Sequence, residues 1–95
     1  YLPIDKQACK QAIKNFERIS WSNNQTQIFI ETPYRNNRCF ELLISHLSPN
    51  TLLSVACDLS LPTEIIQTKT VKDWKTSQLD LHKRPSIFLF ILPSA

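Results

Sequence analysis

With 95 residues and a net charge of +3, the chain has room for one small, mildly basic domain around a single core. Its 42% apolar and 20% charged residues exclude a disordered or collagen-like chain. No uncharged apolar window approaches the roughly 18 residues that a membrane-spanning helix needs.

The elements follow in chain order. Asp5 is a plausible N-cap, and Ala8, Cys9, Ala12, Ile13, Phe16 and Ile19 behind it recur at helical spacing. This predicts a helix over about 5–20, followed by a polar, Asn-rich loop through Thr26. Gln27 to Glu31 carries Ile28, Phe29 and Ile30 in a row, a run that predicts a strand buried on both faces. Thr32-Pro33 reads as an N-cap followed by the first position of a helix. Phe40, Leu43, Ile44 and Leu47 give that helix its apolar stripe, and Ser48-Pro49-Asn50 ends it in a turn.

Leu52 to Asp58 is the second strand, broken by Leu61-Pro62-Thr63. Glu64 to Thr68 is a short third strand. Thr70 caps a short helix through Lys75, with Asp73 three residues on in a capping-box-like pattern. Leu79 to Pro85 is loop, and Ile87 to Leu92, the most apolar run, is the last strand. Helices alternating with strands predict one α/β domain over 1–95, a small mixed β-sheet packed with helices.

Composition also limits the chemistry. The chain contains no glycine, where about seven are usual, so glycine-rich phosphate loops are excluded. It contains no methionine and no basic-then-apolar leader, so Tyr1 is expected to be an internal position of a longer protein without a secretory signal. Cys9, Cys39 and Cys57 are odd in number and widely spaced, and the histidines are only His46 and His82. No zinc-ligand spacing exists, so no metal is expected. The cysteines read as reduced, buried residues of a cytoplasmic protein.

Lys6, Lys10, Lys14 and Arg18 recur every four residues and draw one basic stripe on the first helix. Such a stripe is either a solvated outer face or a ridge that contacts phosphates.

In α/β sheets, ligands gather beyond the C-terminal ends of strands. That rule singles out Glu31-Thr32-Pro33-Tyr34-Arg35 and Asp58-Leu59-Ser60-Leu61-Pro62-Thr63-Glu64. Glu31 is a general base or an Arg35 partner. Asp58 binds a ligand hydroxyl or caps a turn. Tyr34 and Trp74 stack on a base or cover a core edge. His46 sits near a helix C-terminus, and His82 beside Lys83 and Arg84 reads as loop surface. No Ser/His/Asp or Cys/His constellation is evident, and the catalytic group stays unknown.

At these two corners the sequence resembles the C-terminal half of the tetrapyrrole methylase superfamily, S-adenosylmethionine methyltransferases built from two α/β domains. The likeness is greater to the ribosomal RNA small subunit methyltransferase I branch. That branch has a Leu-Pro opening, then a strand ending in a Glu-Ser-Pro-x-Arg-like segment. Here these read Tyr1-Leu2-Pro3 and Phe29-Ile30-Glu31-Thr32-Pro33-Tyr34-Arg35. The branch continues with a strand ending Ala-Arg-Glu-Leu-Thr-Lys and a Glu shortly after. Here the segment is Val55-Ala56-Cys57-Asp58-Leu59-Ser60-Leu61, with Glu64 beyond. Thr32 stands for Ser, Asp58 for Glu, and Cys57 and Leu61 replace basic residues.

The resemblance implies an enzyme, with S-adenosyl-L-methionine bound between two domains and the glycine-rich cofactor loops in the other one. This half would close on the adenine side through Glu31, Thr32 and Pro33, through Leu59 and Ser60, and through Pro85 and Ser86. Arg35 and Arg38 would contact substrate phosphate or pair with Glu31 or Glu41. The implied acceptor is ribosomal RNA, with a tetrapyrrole-type small molecule as the alternative. The implied partners are the chain's own N-terminal domain and a second copy in a homodimer, with no membrane. The rival readings are a non-enzymatic RNA-binding module that uses the basic stripe, and a dimerisation module.

Overall fold

A computed structural model describes residues 5–31, 33–77, 79–81 and 83–93. Helix α1 runs Lys6–Asn23. Asp5 caps it as its sequence pattern predicts, its carboxylate accepting from the Ala8 N–H at 2.9 Å. The helix continues one turn past the expected end. The reason is tertiary: Ser20 is fully buried and its Oγ accepts from the Leu92 N–H at 3.1 Å. Asn24 then closes the helix in the left-handed conformation, its N–H bonded to the Ser20 carbonyl.

Strand β1 (Gln27–Ile30) leads through a single 3-10 turn at Pro33–Arg35 into helix α2 (Asn36–His46). Strands β2 (Leu52–Cys57) and β3 (Ile65–Thr70) form a hairpin. The short helix α3 (Val71–Trp74) precedes strand β4 (Ser86–Ile91). Thr70 caps α3 by accepting from the Asp73 N–H. Expected Thr32, at the entry to α2, lies outside the described residues, as do Tyr1-Leu2-Pro3 and His82. Arg35 occupies the position before α2 and makes no side-chain capping bond.

The class is α/β, as the alternation of elements predicts. The expected mixed sheet is corrected: the strand order is β1-β4-β2-β3 and every neighbouring pair is antiparallel. β1 and β2, joined through α2, run the same way but are not neighbours. β4, the most apolar segment, sits between them, where both of its edges are hydrogen-bonded.

The helices cover one face of this sheet. Phe29, Leu53, Val55, Phe88 and Phe90 point into a core shared with Cys9 and Ile13 of α1, Phe40 and Leu43 of α2, and Trp74 of α3. Phe29 stacks on Phe90 with centroids 5.4 Å apart, and Phe16 meets Phe29 edge-on at 5.3 Å. Trp74 donates its indole N–H to the Leu53 carbonyl at 2.7 Å.

The other face is open, which corrects the expectation that β1 is buried on both sides. Ile28 is 63% exposed and Ile30 56%. Register aligns Ile30, Ile87, Ala56 and Ile66 in one row across all four strands. The next row on this face is Ile28, Leu89, Ser54 and Thr68. The run Ile28-Phe29-Ile30 is apolar at every position, yet only Phe29 meets a helix layer. No helix among the described residues is long and apolar enough to cross a membrane.

Candidate functional site

Three segments far apart in sequence meet at one end of the sheet. Ile30 pairs with Ile87, which brings Glu31 alongside Ser86. Ser86 pairs with Cys57 on its other side, and the Asp58 N–H donates to the Pro85 carbonyl at 3.0 Å. Glu31, Pro85, Ser86 and Asp58 therefore line one corner, with Leu59 and Ser60 just beyond. Pro33, two residues after Glu31, opens the 3-10 turn.

The acidic groups of this corner are engaged. Glu31 is 5% exposed, and its Oε1 lies 3.4 Å from Arg35 Nη1. In this arrangement Glu31 is a clamp on the start of α2 rather than a free base. Asp58 Oδ2 accepts from Arg84 Nε at 2.7 Å and from Thr63 Oγ1 at 2.8 Å. The Arg84 hydrogen bond, then that of Thr63, holds the Asp58 carboxyl below the usual carboxylate range. Asp58 therefore ties its own loop and does not present a free carboxylate.

The loop from Asp58 to Glu64 is tightly tied. The Leu61 N–H returns to the Asp58 carbonyl at 2.9 Å and the Ser60 N–H donates to Glu64 Oε1 at 2.9 Å. Asp58 and Ser60 adopt left-handed backbone conformations with φ of 53° and 67°, and Lys83 across the corner has φ of 60°. Without glycine in the chain, non-glycine residues carry this strain.

Sequence reasoning missed Arg84 and the Asn36-Asn37 pair. Arg84 also donates from Nη2 to the Thr63 carbonyl at 2.8 Å and from Nη1 to the Asp80 carbonyl at 3.3 Å, bridging the two loops. Asn36, fully buried, donates its amide to the Arg84 and Leu81 carbonyls. Its Oδ1 is the one buried side-chain polar atom without a partner among the described residues. Asn37 Oδ1 accepts from the Leu81 N–H at 2.7 Å. The available signal was an Asn pair in a helix's first turn, a position where short polar side chains bond to nearby backbone.

The other expected residues separate. Trp74 is 1% exposed and belongs to the core, so it cannot stack on a ligand. Tyr34 is 71% exposed, with Lys83 Nζ 6.0 Å from its ring centre. Arg38 lies in the first turn of α2, where its charge, like those of Arg35 and Glu31, reaches the Cys9 thiol of α1. At the end of α2, partial burial and then Lys10 and Lys14 push the His46 imidazole below its usual range. All three cysteines are free and buried, and burial pushes the Cys39 thiol up to about 12.

Among the described residues, no group of three His, Cys, Asp or Glu side chains is placed to hold a metal ion. The corner exposes Leu59 (45%) and Leu61 (53%) beside the polar residues Ser60, Thr63 and Glu64. No protein-family model matches the chain, and no curated protein matches it significantly.

Proposed function

We propose that this chain is one α/β domain of a cytoplasmic S-adenosylmethionine-dependent methyltransferase acting on ribosomal RNA, with the strand-end corner closing on the adenine side of the cofactor. The observation that carries this reading is the convergence of residues 31, 59–60 and 85–86 at one end of the sheet. Those positions were expected from the resemblance, and the strand register that joins them was not part of it.

The chemistry of the corner fits an adenosyl group. The group carries no phosphate, and the corner has no glycine loop to cradle one. A planar base needs apolar cover, and exposed Leu59 and Leu61 supply it. When bound, S-adenosylmethionine supplies an electrophilic methyl group. This chain's residues hold the adenine end, while Arg84 and Asn36 fix the loops that do so. Arg35, tied to Glu31, positions the start of α2 rather than standing free for substrate.

The open apolar row Ile30–Ile87–Ala56–Ile66 supports a companion surface beside this corner, in the proposed reading the protein's other domain or a second copy.

The test is calorimetric titration of S-adenosylhomocysteine into the protein that carries this domain together with its companion domain, wild type against Ser60→Arg. Binding that is lost in a folded Ser60→Arg variant supports the reading. Binding that is absent from folded wild type, or unchanged in the variant, overturns it.

A further inference from the structure

The outer side of α1 has a charge pattern that the cofactor corner does not explain. Lys6, Lys10, Lys14 and Arg18 are all exposed and rise about 18 Å along the helix at 1.5 Å per residue. The helix holds one carboxylate, Glu17, and it is turned inward. Glu17 is 5% exposed and accepts from Ser48 N–H at 2.7 Å, Ser48 Oγ at 3.1 Å and Thr51 Oγ1 at 2.6 Å. It is therefore spent on the core and leaves the stripe uncompensated from within α1. Exposed carboxylates on neighbouring segments are Asp5 at the cap and Glu41 on α2.

Two further features mark this face. Trp21 is 53% exposed and lies seven residues after Lys14, two turns along the same line of the helix. An exposed indole in line with cations is the combination that holds single-stranded nucleic acid, in which phosphates meet the charges and an unstacked base meets the ring. The stripe also follows the seam with α2. Near its start, Cys9 feels Glu31, Arg35 and Arg38 from the corner, and further along Lys10 and Lys14 lie close enough to act on His46.

We propose that the face formed by Lys6, Lys10, Lys14, Arg18 and Trp21 of α1 binds a single-stranded RNA segment. The phosphates would lie along the cations and one base would stack on Trp21. The inference rests on the proposed function in one respect, the choice of RNA as the nucleic acid. It names the surface that would hold the acceptor strand beside the cofactor corner.

The experiment is fluorescence anisotropy of a labelled single-stranded RNA of about 12 nucleotides with the full chain, without cofactor, over a salt series starting near 50 mM. The variants are the Lys10→Glu, Lys14→Glu double reversal and Trp21→Ala, each checked for folding by circular dichroism. Expected is a log–log salt slope near −3, about −0.7 for each of four neutralised phosphates. The double reversal should weaken binding by about 100-fold and flatten the slope, while Trp21→Ala should weaken it about 10-fold with the slope kept. The proposal is overturned by no binding near 50 mM salt or by unchanged affinity in the folded double reversal. Equal affinity for duplex RNA, or binding to anionic lipid vesicles but not RNA, also overturns it. Because no cofactor is present, failure here leaves the S-adenosylhomocysteine titration to decide the methyltransferase reading separately.

Discussion

Arg84 Nε lies 2.7 Å from Asp58 Oδ2, and this contact joins the loop after β2 to the loop before β4. The same guanidinium reaches the Thr63 carbonyl, so one side chain fixes both ends of the turn that carries Leu59 and Ser60. The pair gives a pH prediction. Arg84 and Thr63 lower the folded-state pKa of Asp58. The stabilisation is therefore fully present above the unfolded carboxylate value of about 3.9 and disappears as pH falls through the lower folded value. Urea midpoints of wild type should drop between pH 5 and pH 2 by more than those of Asp58→Asn. An equal acid drop in both proteins would remove Asp58 from the acid limb.

The left-handed residues make a second prediction. Ser60 and Lys83, with φ of 67° and 60°, carry a β-carbon where glycine would be unstrained. Ser60→Gly and Lys83→Gly are each expected to stabilise the fold by about 1 kcal/mol, and Ser60→Val to destabilise it by at least that much. Equilibrium urea denaturation reads all three. A loss of stability in both glycine variants would show that these turns are not strained.

Glu17 predicts a large loss. It is buried and accepts three hydrogen bonds from Ser48 and Thr51, which tie α1 to the segment between α2 and β2. Glu17→Ala strands those donors and should cost about 3 kcal/mol, with Glu17→Gln costing less because it keeps one acceptor. Chemical denaturation of the two variants tests the order. A Glu17→Ala variant as stable as wild type would mean that water replaces the carboxylate.

The open sheet face predicts behaviour in solution. Ile28 and Ile66 are 63% and 62% exposed on strands at opposite edges of the sheet. Replacing both with Thr retains strand preference and should change the stability of the chain by no more than about 0.5 kcal/mol per site. If the face is where copies meet, sedimentation equilibrium will show association of wild type that falls in the double variant. Unchanged association would move the contact elsewhere.

The sequence by itself determined the elements and most of their ends. Asp5 and Thr70 cap helices because a short oxygen-bearing side chain satisfies free N–H groups wherever a helix begins. Cys9 and Ile13 of α1, and Phe40 and Leu43 of α2 with Leu47 at its C-cap, show their buried stripes through helical spacing alone, whereas Ala8 at the same spacing is exposed. The chain positions of the candidate corner were equally legible, because strand ends can be read from where apolar runs stop.

Tertiary structure decided the rest. Nothing local to Ile28-Phe29-Ile30 says that only one side of the strand meets helices, because three apolar residues in a row look alike from either face. The place of β4 between β1 and β2 depends on pairing between residues about 30 and 60 positions apart, which no local pattern encodes. Trp74 and Arg84 show the same limit. An indole and a guanidinium are plausible surface groups in sequence, and their roles follow from whichever carbonyl or carboxylate the fold brings within reach. Here these are the Leu53 carbonyl and the Asp58 carboxylate, each contributed by another strand or its end.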